Sequence, residues 1–208
     1  MTETSIPTTT LYLVRHGETE WNRTGRYQGS SDVPLNATGE RQAERLAEWL
    51  RTDPDAPTGD AIVASPLSRA FETARAVGRA IGVDEILTDG DLQERGYGVA
   101  EGLTREEREE RYPDANWDGL ETWEHASERA MRGITEVTQR YPGQRVFVVC
   151  HGGIINAILA TLSGGEIGTG KTVILNTSIT TLTHDASGWT IVAHNETPHL
   201  DPEPAVAE

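Results

Sequence analysis

Two histidines and two arginines of this chain stand where short apolar runs end. One run meets Arg15-His16-Gly17, a second meets Ser65-Pro66 with Arg69 just beyond, and a third meets His151-Gly152-Gly153. These residue types suit phosphoryl transfer. That reaction needs a nucleophile in line with phosphorus, positive charge on the equatorial oxygens, and an acid for the leaving oxygen. Guanidinium groups such as those of Arg15 and Arg69 make bidentate, permanently charged contacts to phosphate. An imidazole attacks only through an unprotonated nitrogen, and histidine is mostly neutral near neutral pH. One histidine can attack while the other donates to a phosphate oxygen, and a helix opening after His151-Gly152 adds backbone N–H groups. The acid is a carboxyl whose pKa is raised, and pattern alone leaves open which Asp or Glu that is.

The elements that must position these groups can be read along the chain. Residues 8–14 form a β-rich apolar run, followed by a Gly-, Ser- and Asp-rich loop to about residue 34. Asn36 is placed to cap a helix over 37–51 with Ala43, Leu46, Ala47 and Leu50 on one face. Residues 61–64 read as a buried strand, and Ser65-Pro66 as an N-cap and first helical position of a helix to 81. Thr104 to Glu107 has capping-box spacing. A longer helix spans 121–141, 146–150 is the most apolar strand, and a helix follows His151 to about 162. Residues 179–183 and 189–194 pair around a turn at 185–188. Strands alternating with helices predict a three-layer α/β sandwich with a mainly parallel central sheet flanked by helices. Ligands in such sheets bind beyond the C-terminal strand ends. The spacing predicts one domain over 1–200 and a disordered Pro- and Glu-containing tail over 201–208.

Composition bounds the partners. The chain has 208 residues, 36% hydrophobic and 25% charged, with a formal net charge of −15. So acidic a chain is a poor fit to nucleic acid, and no apolar run is long enough to span a bilayer. The first ten residues lack the basic start and apolar stretch of a secretory signal. Cys150 stands alone, so no intramolecular disulfide forms, and a reducing cytoplasm is the simplest setting. Lys171 is the only lysine. A G+C-rich genome and adaptation to high salt would each produce that bias.

The segment Leu13-Val14-Arg15-His16-Gly17-Glu18-Thr19-Glu20-Trp21-Asn22 resembles the signature of the histidine phosphatase superfamily, which includes the cofactor-dependent phosphoglycerate mutases. Four further stretches follow in the family's order. They are Pro34-Leu35-Asn36 with Gly39 and Gln42-Ala43, then Ser65-Pro66-Leu67 with Arg69-Ala70 and Thr73-Ala74, then Leu92-Gln93-Glu94 with Tyr97-Gly98 and Glu101-Gly102, then Val149-Cys150-His151-Gly152-Gly153. Asn176-Thr177-Ser178 resembles a late family turn. The resemblance covers nearly the whole chain and implies a phosphoglycerate mutase-like fold. It implies that His16 is the nucleophile, that Arg15, Arg69 and His151 hold phosphoryl oxygens, and that Glu94 is proton donor and then base for water. Asn22, Gln28 and Gly29 fall where the family meets its substrate, and the aromatic Tyr97 and the helix start at Gly152 are further expected substrate contacts. No metal or organic cofactor is implied. The partner is a small phosphomonoester, bound by a monomer or a homodimer.

The mutases of this family carry a long insertion before the second histidine, with adjacent arginines for the substrate's carboxylate and second phosphate. Here the stretch 94–151 is short and has no Arg-Arg pair, although Arg105 falls near a mutase lysine. That favours hydrolysis over phosphoglycerate interconversion. Other readings compete residue by residue. Arg69 as a surface ion-pair partner, Glu94 with neighbouring Arg95 and Glu101 in bland pairings, and His125, His184, His194 and His199 as structural or exposed groups are the plain alternatives. Trp117, Trp123 and Tyr97 serve either the pocket or cap packing. A metal site of His16, His151 and a carboxylate would suffer repulsion from two arginines and lacks compact zinc spacing. A non-catalytic phospholigand-binding module is a further alternative.

Overall fold

The computed structural model describes residues 7–200. The predicted tail over 201–208 lies outside the described residues. In chain order the elements are β1 (Thr9–Arg15), α1 (Glu20–Arg23), α2 (Ala37–Thr52), β2 (Ala61–Ala64), α3 (Ser68–Ile81) and β3 (Ile86–Thr88). They continue with α4 (Arg105–Arg111), α5 (Trp123–Arg140), β4 (Arg145–Cys150), α6 (Gly152–Leu162), β5 (Ile179–Asp185) and β6 (Gly188–Glu196). The sheet order is β3-β2-β4-β1-β5-β6. β3, β2, β4 and β1 run parallel, and β5 and β6 are antiparallel additions at one edge.

The three layers follow from the two-residue period of the strands. On one face Leu11, Leu13, Val63, Val146, Val148 and Cys150 pack against Ala130, Ile134 and Val137 of α5 and Ile154, Ile155 and Ile158 of α6. On the other, Val14, Ile62, Ala64, Phe147 and Val149 pack against Leu46 and Leu50 of α2 and Ala70, Ala74 and Val77 of α3. β4 is the central strand, and Val146 to Cys150 is wholly buried, as a parallel strand covered on both sides must be. Burying each such aliphatic side chain stabilises by roughly 1.5–3 kcal/mol against exposure. Among the described residues no helix is long and apolar enough to cross a membrane.

Asn36 caps α2 through the Gly39 N–H at 2.8 Å, and Thr104 with Glu107 forms the capping box of α4. One predicted cap is corrected. α3 begins at Ser68, and its N-cap, Leu67, makes no side-chain capping bond. Ser65 lies ahead of the helix, where its Oγ accepts a long bond from the Leu67 N–H at 3.4 Å and faces His151, as described below. The third parallel strand, β3, and the single turn α1 had no clear signal, since both are too short to show a period.

Candidate active site

β1, β2 and β4 are parallel, so Arg15-His16, Ser65 and His151 emerge along one rim of the sheet. The ladder runs one residue past β1, where the His16 N–H donates to the Cys150 carbonyl at 3.0 Å. Gly17 follows because the chain passes tightly against α2: a Cβ there would stand 2.5 Å from the Gly39 carbonyl oxygen. The Gly17 N–H donates to Thr73 Oγ1 at 3.1 Å, and that hydroxyl donates to the Arg69 carbonyl, tying the loop that carries His16 to α3.

His16 is buried, and its Nδ1 lies 2.6 Å from the Gly17 carbonyl oxygen. A carbonyl only accepts, so Nδ1 carries the proton and Nε2 keeps its lone pair. Burial pushes the His16 pKa well below the ordinary value, with Arg15 and Arg69 adding to the effect. His151 is shifted the same way, by burial and then by Arg69, His16 and Arg15. The two rings stand 5.1 Å apart at 60°. His151 Nε2 meets Ser65 Oγ at 2.8 Å.

Arg15 donates through Nη1 to the Ile174 carbonyl at 2.5 Å. Arg69, fully buried, donates to the carbonyls of Ser31 at 2.8 Å and Gly29 at 2.9 Å. Five buried side-chain nitrogens have no partner among the described residues, and three of them belong to this cluster: Arg15 Nε, Arg69 Nε and His151 Nδ1. Buried polar groups are almost always satisfied, so these three mark where an anion belongs.

Glu94 stands at the mouth of this cluster. Its Oε2 accepts from the Gly153 N–H at 3.1 Å, and its Oε1 from the Arg95 N–H at 2.9 Å. It lines a cavity of about 310 Å³ with Arg15, Tyr97, Trp123, Gly152, Asn156 and Ile174. Arg95 does not pair with the Glu94 carboxylate through its side chain. It donates to the Glu121 carbonyl and stacks over Trp123 at 4.3 Å. Glu101 does not pair with Arg95 either. It accepts from the N–H groups of Ser30, Ser31 and Tyr97, which pins the loop that holds Arg69. Gly29, at φ +56, takes a conformation suited to glycine, and a Cβ there would collide with Glu101.

The remaining sequence candidates are placed less directly. Asn22 Oδ1 accepts from the Thr19 N–H at 3.1 Å, and Gln28 Oε1 accepts from Thr19 Oγ1 at 2.9 Å. What each amide offers a ligand is therefore its nitrogen, a donor. Trp117 packs in the cap: its Nε1 donates to the Tyr97 carbonyl, and its ring stacks on Tyr112. Arg105 does not line the cavity and pairs with Glu109 on exposed α4. A larger cleft, about 660 Å³ and lined by Tyr12, Trp49, Pro57 and Ile179 among others, contains no His, Arg or Lys. Among the described residues no three His, Cys, Asp or Glu side chains gather so as to hold a metal ion.

Sequence reasoning missed Arg129. This buried guanidinium donates to the carbonyls of Asp91, Gln93 and Glu94 and makes a two-pronged pair with Glu121. Burial pushes the Glu121 carboxyl up, but Arg129 and the Gly96 N–H outweigh it and hold its pKa down to about 2. The signal was present: Arg129 falls on the buried face of α5 with Ala126, Ala130 and Gly133, where a lone arginine must have partners.

Residues 11–197 match the profile of the Histidine phosphatase superfamily (branch 1). The chain belongs to this superfamily. It is similar to an uncharacterized phosphatase, PhoE, of Bacillus subtilis, at 40% identity over 92% of this chain and 97% of that protein. Among solved structures, YhfR of Bacillus stearothermophilus superposes with a TM-score of 0.82 at 28% identity, covering 92% of this chain and 98% of that one. The phosphoserine phosphatase of Entamoeba histolytica, in complex with phosphoserine, superposes at 0.76 with 27% identity, covering 92% and 99%. The fold is thus phosphoglycerate mutase-like, and the chain is a histidine phosphatase-type phosphohydrolase. In this histidine phosphatase the family signature, residues 13–22, contributes the end of β1 and the capped turn α1.

Proposed function

We propose that the protein hydrolyses small phosphorylated metabolites through a phosphohistidine on His16. One observation carries the reading. The Nε2 lone pair of His16 is fixed by the Nδ1–H bond to Gly17, in a pocket where Arg15 Nε, Arg69 Nε and His151 Nδ1 lack protein partners.

In the first half-reaction His16 Nε2 gives its electron pair to phosphorus, and the bond from phosphorus to the leaving oxygen breaks. Glu94 in its carboxylic acid form gives its proton to that oxygen. Arg15 and Arg69 stabilise the charge on the equatorial oxygens, and His151 donates to one of them when its Nδ1 carries the proton. In the second half-reaction water attacks phosphorus, the N–P bond returns its pair to Nε2, and the water proton passes to the Glu94 carboxylate. The sum is ester plus water to alcohol plus phosphate. The two guanidinium groups supply the positive charge and the neutral His151 ring a hydrogen bond, so this chemistry calls for no metal or organic cofactor. Asn22, Gln28, Gly29, Tyr97 and Gly152 contribute substrate contacts, Asn22 and Gln28 as amide donors.

Hydrolysis rather than mutase chemistry is supported by the cavity lining, in which Arg15 is the only cation beside Tyr97, Trp123, Val173 and Ile174. A second phosphate would find no dedicated charge there. The relative with phosphoserine bound supports a small phosphomonoester as substrate. The test is p-nitrophenyl phosphate hydrolysis with excess chelator, comparing wild type with His16→Ala. Chelator-resistant turnover that disappears in the variant is expected. Turnover that needs a divalent cation, or that survives in His16→Ala, would overturn the reading.

A further inference from the structure

The turn before β5 holds the nucleophile's backbone from beneath. Asn176 Nδ2 donates to the His16 carbonyl at 2.9 Å, the Thr177 N–H donates to the Arg15 carbonyl at 2.9 Å, and the Ser178 carbonyl accepts from the Arg15 N–H at 3.2 Å. To do this Thr177 adopts φ +58, a conformation that β-branched residues avoid. Such an outlier persists only where its surroundings over-determine it. The surroundings here include His199, brought back by the chain after β6. Its Nε2 lies 3.0 Å from Thr177 Oγ1.

The one hydroxyl proton of Thr177 goes to the Asn176 carbonyl at 2.7 Å. Thr177 Oγ1 must then accept from His199, whose Nε2 carries the proton. His199 Nδ1 is buried without a partner among the described residues, and burial lowers the pKa of the ring to about 4, so the ring is neutral.

We propose that His199 is a positioning residue for the phosphatase reaction: it latches the strained Thr177 so that Asn176 and Thr177 hold the carbonyls of His16 and Arg15 in register. The proposal rests on the reading of His16 as nucleophile. His199 also stands 6.0 Å from the Trp49 ring on α2, so a merely structural role must be told apart from a positioning one.

The experiment compares His199→Leu, which keeps bulk without a donor, with His199→Gln, which keeps an N–H donor. Thr177→Gly relaxes the turn and removes the latch's partner, and is made alone and with His199→Leu. Turnover of p-nitrophenyl phosphate and affinity for inorganic phosphate are both measured. Misplacing reacting groups by a fraction of an ångström lowers kcat by about tenfold or more. His199→Leu is expected to lose about tenfold in kcat with KM changed by less than about threefold, and His199→Gln to recover most of it. The double variant is expected to match Thr177→Gly alone within about twofold. Equal kcat in the Leu and Gln variants, or losses that multiply in the double variant, would overturn the latch even if melting temperatures fall. A wild type without turnover would overturn the phosphatase reading instead. The latch would then be judged by phosphate affinity, weakened about fivefold in His199→Leu but not in His199→Gln, and equal affinities would reject it.

Discussion

The Glu94 carboxylate rests against the first turn of α6, with its Oε2 3.1 Å from the Gly153 nitrogen. Position 153 must stay bare for this, because a Cβ there would run into the carboxylate and stand 3.1 Å from its carbon. Gly153→Ala separates activity from stability. Alanine favours the helix by up to about 1 kcal/mol over glycine, while the displaced acid lowers kcat by about ten- to a hundredfold. A thermal melt beside steady-state kinetics checks this. A variant both less stable and fully active would contradict the assignment of Glu94.

Arg129 fixes Glu94 from the main-chain side, through the three carbonyls it satisfies. Arg129→Met would leave the Glu121 carboxylate without its buried partner and should cost about 3 kcal/mol of stability. It should also lower kcat at temperatures where the variant is folded, because the loop over residues 91–94 loses its anchor. Urea titration gives the first quantity and kinetics the second.

The parts of this fold that showed in the sequence are those with a strong local cause. α2 was legible from Asn36 and its apolar face, α4 from its capping box, and β4 from five consecutive buried residues. β3 and α1 were not, since three or four residues carry no period. The site divides in the same way. Arg15, His16 and His151 were visible because each directly follows or closes a strand. Ser65 was assigned to a helix cap, because Ser-Pro has that local meaning, yet its hydroxyl faces His151 across 86 residues of chain. The same holds for Glu101, Arg129 and His199, whose partners are long-range and invisible to spacing.

Ser65→Ala tests that tether. Removing a hydrogen bond from a buried imidazole should cost about 1 kcal/mol. It should also lower kcat more than it raises KM, because His151, the proposed donor to a phosphoryl oxygen, loses its orientation. Ser65→Thr, which restores a hydroxyl, is expected to recover part of the loss if the added methyl is accommodated.

Acid should destabilise the protein in a defined window. His16, His151 and His199 all have pKa values depressed by burial, His199 to about 4, while the unfolded chain takes up protons near 6.5. Between these limits the unfolded state binds more protons, so stability falls as pH drops from about 6.5 toward 4. Glu121, held down to about 2, adds stability above its unfolded pKa near 4.5 that is lost as pH falls from there toward 2. Melting temperatures recorded from pH 7.5 downward should therefore begin to fall near pH 6.5. A flat profile to pH 5 would contradict the neutral, buried state of these rings.

The most direct test of the account is to trap the intermediate. Wild type and His16→Ala are mixed with a phosphomonoester, quenched in alkali within the first turnovers, and digested for peptide mass analysis under alkaline conditions. The expected result is one added phosphoryl group on the peptide containing His16, stable to base and lost in acid, and absent from the variant. Rapid turnover with no phosphoryl group on His16 at any quench time, and activity retained in His16→Ala, would contradict it.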